Sequence, residues 1–170
     1  MSIDQAPPRG QRVLPWISLV ARLIAGGALL VAGLLKIGDL PQSVVAVRAY
    51  EFPVPAPLEA FLGYALPAGE IVLGLAIVAG LFTRWTALLG ALAYLAYISA
   101  IISAWARGLN IDCGCFTPGG AILTPGVKAK YAQEIARDLG LLVCAVWLVV
   151  VPASRFSVDN WLRSPLDKEL

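Results

Sequence analysis

Apolar residues run along this chain in blocks too long for an ordinary soluble element, separated by short polar breaks. Four blocks reach the roughly 20 residues that a bilayer-crossing helix needs. They run from near Pro15 to Leu35, near Leu58 to Phe82, near Trp85 to Ala106, and near Tyr131 to Val151. Backbone groups inside lipid must bond within their own segment, so these blocks are predicted to be helices and not strands. The first block exceeds the h-region of a secretory signal (about 7–15 residues) and no small-residue cleavage site precedes Lys36, so it is read as a retained helix. The expected architecture is all-α: an integral membrane four-helix bundle over 15–151, with cytoplasmic tails at 1–14 and 152–170.

Within the blocks, small residues recur at helical spacing. Ala96, Ala100 and Ala104 share one face of the third, Ala76 and Gly80 one face of the second, and Gly26, Gly27 and Gly33 thin the first. Such stripes let backbones approach closely in lipid. Between the first two blocks, Asp39 has the character of an N-cap, and Leu40 and Pro41 open a short helix reaching about Tyr50. Val44, Val45 and Val47 give that helix an apolar side suited to the interface. Pro53, Pro55 and Pro57 then form a stiff extended link.

Composition agrees: 59% of residues are hydrophobic, 14% are charged, and the mean hydropathy is +0.78. Soluble domains carry about 25% charged residues, so this surface cannot be wetted all round. A net charge of +2 gives no reason to invoke nucleic acid, and the absence of histidine excludes His-ligated haem, His-based zinc and every imidazole-dependent triad. Four spans put both termini on one side. That side holds Arg9, Arg12, Arg84, Arg155, Arg163 and Lys168, against Lys36, Arg48, Arg107, Lys128 and Lys130 on the other. The basic N-terminus and the short turn at Arg84 lean towards cytoplasmic termini.

The chemically richest stretch follows the third block: Asn110-Ile111-Asp112-Cys113-Gly114-Cys115-Phe116-Thr117-Pro118-Gly119-Gly120. Two cysteines one residue apart meet disulfide geometry only through a sharp bend, which Gly114 permits. A ring so small is strained, and strained, exposed disulfides are oxidising and labile. The loop position is expected to leave the sulfurs within reach of another protein's thiol. A static clip across one residue would stabilise little. Copper(I) held by two thiolates is the chemical rival, while an oxidising compartment favours thiol–disulfide exchange. Cys144, deep in the fourth block, is read as a small apolar residue.

Two ionisable residues fall inside the blocks, Arg22 in the first and Glu70 in the second, and at similar depth they are expected to pair. Two readings of them stay open: a proton path or quinone-pocket wall, and an orientation-fixing salt bridge without chemistry. Pro67 is expected to open room beside Glu70. Glu134, Arg137 and Asp138 are expected to mark a partly wet helix end, and Tyr94 and Tyr97 to serve as packing.

Several of these residues together carry a resemblance. Arg22, Gly33-Leu34-Leu35-Lys36-Ile37, Pro67-Ala68-Gly69-Glu70 and Gly80-Leu81-Phe82-Thr83-Arg84 are similar to the pattern of DoxX-like membrane proteins. Asp112-Cys113-Gly114-Cys115-Phe116 narrows the resemblance to the methylamine utilisation MauE branch. It covers about Arg22 to Val151 and implies a four-helix membrane protein associated with disulfide formation or electron transfer outside the cytoplasm. It also implies a link to maturation of the disulfide-rich small subunit of methylamine dehydrogenase. The layout further resembles vitamin K epoxide reductases and bacterial quinone-linked disulfide oxidases, with one accessible pair where those use two and a Cys-x-Cys spacing instead of Cys-x-x-Cys. The sequence-level reading is a membrane thiol–disulfide exchanger with Cys113 and Cys115 as its reactive pair and a thioredoxin-fold partner outside the cytoplasm. Arg22 and Glu70 are candidates for a cofactor wall, with a quinone as the cofactor considered and no resident metal. The alternative is a non-enzymatic scaffold or copper(I)-binding subunit.

Overall fold

The computed structural model describes residues 9–114, 119, 127–152 and 157–159, with the backbone alone at 9–12. Among them the chain forms five helices and no strand: α1 (Arg9–Ile37), α2 (Leu40–Ala49), α3 (Ala56–Ala79), α4 (Thr83–Ala106) and α5 (Val127–Val150). Their caps follow from sequence. The Asp39 carboxylate accepts from the Gln42 backbone N–H at 3.1 Å and Pro41 fills the first turn of α2, where no N–H is missed. Gly80 ends α3 in the left-handed region at φ 72°, and the Leu81 N–H returns to the Ala76 carbonyl. Asp159, far along the chain, caps α4 by accepting from the Phe82 and Thr83 backbone N–H groups, each at 2.8 Å.

Helices α1, α3 and α4 are long and apolar enough to cross a membrane, over Val13–Ile37, Ala56–Ala79 and Thr83–Ala106. The sequence expects a fourth span in α5, which is equally long but fails on apolarity. Lys128, Lys130, Glu134, Arg137 and Asp138 crowd its first half. That half nevertheless does not face outward with its acids. Val127, Tyr131, Glu134, Asp138, Leu141, Ala145 and Leu148 form one continuous buried stripe. Opposite them, Leu139, Val143, Val146 and Val150 are exposed. Large apolar side chains such as Val72 and Trp85 are two-thirds exposed on α3 and α4, a surface suited to lipid and not to water.

The packing is uneven. α1 lies most extensively against α3, α4 against α5, and α5 also against α1, while α2 seats on α3 and the seam between α3 and α4 is thin. Glycines set the closest approach. A Cβ on Gly33 would sit 2.6 Å from the Pro67 carbonyl oxygen, and one on Gly74 would sit 2.6 Å from the Leu30 backbone nitrogen. Gly27 touches nothing, so of the three glycines that thin α1 only Gly26 and Gly33 serve this contact. On α4 the inward face is Ala87, Ala91, Tyr94, Ile98, Ile101 and Ala104. Ala96 faces outward and Ala100 is half-buried, so of the stripe predicted through Ala96, Ala100 and Ala104 only Ala104 is fully on the packing face.

Buried residues gather in two clusters. One fills the body of the helices around Leu29, Ile77, Tyr94 and Leu148; the other, around Tyr50, Ile101, Ile111, Cys113 and Tyr131, closes the end where the α4–α5 loop lies.

Candidate functional site

The loop after α4 is held by side chains from α5 and from α2 with its C-cap residue Tyr50. Gly108 turns it at φ 71°. The Tyr131 hydroxyl on α5 accepts from the Ile111 N–H at 3.1 Å and faces the Leu109 and Ile111 carbonyls at 2.8 and 3.0 Å. Asp112 accepts from Lys130 at 2.8 Å and from the Gly114 N–H at 3.2 Å, which bends the chain just past Cys113. The Tyr50 hydroxyl donates to the Cys113 carbonyl at 3.0 Å. From α2, Gln42 donates to the Gly119 carbonyl at 2.9 Å, and Gly114 and Gly119, both at positive φ, pack together against Ala46.

This scaffold buries Cys113, at 8% exposure, where the sequence expects an exposed sulfur. The reason is local: the loop folds back under α2 and onto the start of α5 and does not project from the helix ends. The Cys113 thiol lies beside the Glu134 carboxylate. Its sulfur, one Asp112 oxygen and one Glu134 oxygen all lie within 4.8 Å of one another. One thiol with two carboxylates is a mixed soft and hard donor set, and Asp112 is already engaged by Lys130. Cys115 lies outside the described residues.

Glu134 and Asp138, expected at a wet helix end, are instead buried at 7% and 2% exposure. Arg137 donates to Asp138 Oδ1 at 2.9 Å, whereas Glu134 Oε2 and Asp138 Oδ2 have no hydrogen-bond partner among the described residues. Beyond Asp138 is a void of about 10 Å³, bordered also by Glu70, Tyr94 and Tyr97. That is the size of one water molecule.

Glu70 does not pair with Arg22. Lys36 Nζ donates to both Glu70 oxygens, at 2.8 and 2.9 Å, and the Tyr97 hydroxyl donates to Oε1 at 2.7 Å. The antiparallel register of α1 and α3 explains the exchange. Gly33 meets Pro67 and Gly26 meets Gly74, so Arg22 falls level with Gly80, ten residues beyond Glu70 and about 15 Å along the axis. There Arg22 is buried within the electrostatic reach of Asp159. Arg22 and Glu70, expected in one wall, thus occupy different ends. Lys36, Tyr97, Glu134 and Asp138 are the site residues the sequence reading passed over.

A cavity of about 140 Å³ joins the two polar groups, with Lys36, Glu70 and Tyr97 on one wall and Cys113 and Gly114 on another. Cys144 borders a separate outer groove with Trp16 and Val20.

Lipid-suited helices that enclose a buried cysteine beside a carboxylate at one end define a helical membrane protein with a polar site built into its apolar interior. The family model for methylamine utilisation protein MauE matches residues 14–151. The chain belongs to that family of membrane proteins involved in methylamine utilisation. No curated protein and no solved structure matches it.

Proposed function

We propose that this chain is a membrane thiol–disulfide exchanger that works through Cys113 and Cys115 in methylamine utilisation. The observation that carries the reading is the thiol of Cys113, buried and set beside the Glu134 carboxylate, in a residue that also borders a cavity. A structural cysteine needs no such acceptor. A thiol that must become a nucleophile does, because the thiolate is the reactive form.

In this reading a reduced thioredoxin-fold protein attacks the Cys113–Cys115 disulfide. Its thiolate bonds to Cys115, the sulfur the partner reaches, and Cys113 leaves and takes up a proton through Glu134. The partner's second thiolate then attacks the mixed disulfide. The partner departs oxidised, and this chain holds two thiols. Two electrons have moved inward. Disulfide-containing proteins such as the small subunit of methylamine dehydrogenase are the downstream beneficiaries. In the same reading α5 completes a fourth span, with the termini cytoplasmic and the cysteine loop outside.

Single-cysteine trapping tests this. Cys113→Ala leaves Cys115 as a lone thiol; against a thioredoxin-fold partner whose second cysteine is replaced by alanine and whose remaining cysteine carries a thionitrobenzoate leaving group, a mixed disulfide should accumulate on non-reducing gels. Cys115→Ala should trap far less, because Cys113 is buried. Absence of any mixed disulfide in either variant, with the wild-type pair unaffected by deleting the partner, refutes the proposal.

A further inference from the structure

The cavity beside Cys113 continues into a second space. A groove of about 250 Å³ runs along the thin seam between α3 and α4, and Leu62, Leu66, Glu70 and Tyr97 border both. The two differ in chemistry. The cavity is bordered by a cation, a carboxylate and a phenol and by the loop residues Cys113 and Gly114, whereas the groove is bordered mainly by aliphatic side chains such as Leu29 and Leu73. Leu66 itself is 37% exposed, so the groove opens on the surface that faces lipid. A cavity of about 150 Å³ holds one six-membered ring. The cavity border offers a hydrogen-bond donor: Lys36 has three N–H bonds, of which Glu70 receives two.

From these observations we propose that the cavity is a binding site for a membrane quinone, with the ring in the cavity and the hydrophobic tail in the α3–α4 groove. One ring carbonyl accepts from Lys36, and the ring lies between that ammonium and Cys113. The site rests on the thiol–disulfide reading for its chemistry but not for its occupancy. In the redox step the two S–H bonds of Cys113 and Cys115 break and one S–S bond forms. The two electrons and two protons pass to the quinone oxygens, giving a hydroquinone. Glu134 takes the Cys113 proton first. The inference supplies the electron acceptor that thiol exchange alone leaves unnamed.

Occupancy and chemistry are tested separately on the full-length protein in lipid nanodiscs, with decylubiquinone as the probe. Binding is read first in the Cys113→Ser/Cys115→Ser double variant, by equilibrium partitioning against empty nanodiscs. Saturable binding is expected there, because the serines cannot reduce the ring. Leu66→Trp, a partly exposed position that tolerates bulk, should weaken binding at least tenfold by closing the passage. Ala100→Phe, which fills the cavity from α4, should do the same with the fold monitored by circular dichroism. Next, the pre-reduced wild-type chain should reduce one decylubiquinone for every two thiols lost.

Partitioning equal to that of empty nanodiscs, or binding unchanged in both folded blocking variants, overturns the quinone site and leaves thiol exchange standing. Saturable binding sensitive to the blocking variants, with no thiol lost, keeps the site but removes its redox step, and shows that the failure lies with the thiol reading.

Discussion

Glu70 shows what decides the fate of a charge inside this protein. A lone carboxylate among aliphatic side chains is costly, and Lys36 and Tyr97 together supply three hydrogen bonds to it. Removing one partner should therefore cost more than removing both. Lys36→Met should lower stability by about 3–5 kcal/mol, whereas Lys36→Met combined with Glu70→Leu should recover most of that loss. Thermal unfolding in detergent checks it. At Cys113 the question is kinetic. Glu134→Gln keeps the shape and can still accept a hydrogen bond but cannot pass a proton to the leaving Cys113 sulfur, so exchange with a reduced thioredoxin-fold protein should slow by about a hundredfold, at constant protein stability. Stopped-flow thiol exchange reads this directly.

The individual residues were unevenly legible. Cys113 stood out because two cysteines around one glycine have few other uses. Glu70 stood out because a charge within an apolar block is rare. Its partner did not. Depth along two separate blocks gave Arg22, but the close approach at Gly33 and Pro67 sets the register, and a lysine side chain reaching back from the helix end meets the carboxylate first. Glu134 and Asp138 looked solvated because they sit among basic residues. Reading α5 at a spacing of three and four would have placed them with Tyr131 and Leu141 on one face.

At the scale of helices, contact between α1 and α3 depends on missing side chains at Gly26, Gly33 and Gly74. Gly74→Val should push the pair apart and cost about 1–3 kcal/mol, since its Cβ would meet the Leu30 backbone. Gly27→Ala should be neutral or slightly stabilising, because nothing lies within 4 Å and alanine favours helix. Comparing the two by denaturant titration separates packing from propensity. The caps at Asp39 and the left-handed stop at Gly80 are local, which is why Asp39 could be recognised in sequence. The Asp159 cap could not, because it joins residues 76 positions apart through tertiary structure alone.

Across the whole molecule, the exposed apolar surface places the helices in a membrane, and the thin α3–α4 seam gives that membrane access to the interior. Three spans are apolar by composition, and the fourth block of the sequence resolves into a helix with one lipid-suited half and one half whose acids turn inward. If α5 crosses as proposed, single cysteines introduced at Ser2 and Ser164 in a Cys-less background will be shielded from a membrane-impermeant maleimide in intact cells. One at Asn110 will be labelled. Labelling at both ends of the chain would reverse the orientation.

The account depends above all on electrons moving through the cysteine pair. The most direct measurement mixes the purified, oxidised chain with a stoichiometric amount of a reduced thioredoxin-fold protein, quenches with acid, and counts alkylated cysteines by mass spectrometry. Alkylation is predicted to appear at Cys113 and Cys115 together as the partner loses its own thiols, with Cys144 unchanged throughout. A pair that stays unmodified while the partner remains reduced, or label gained only at Cys144, would contradict it.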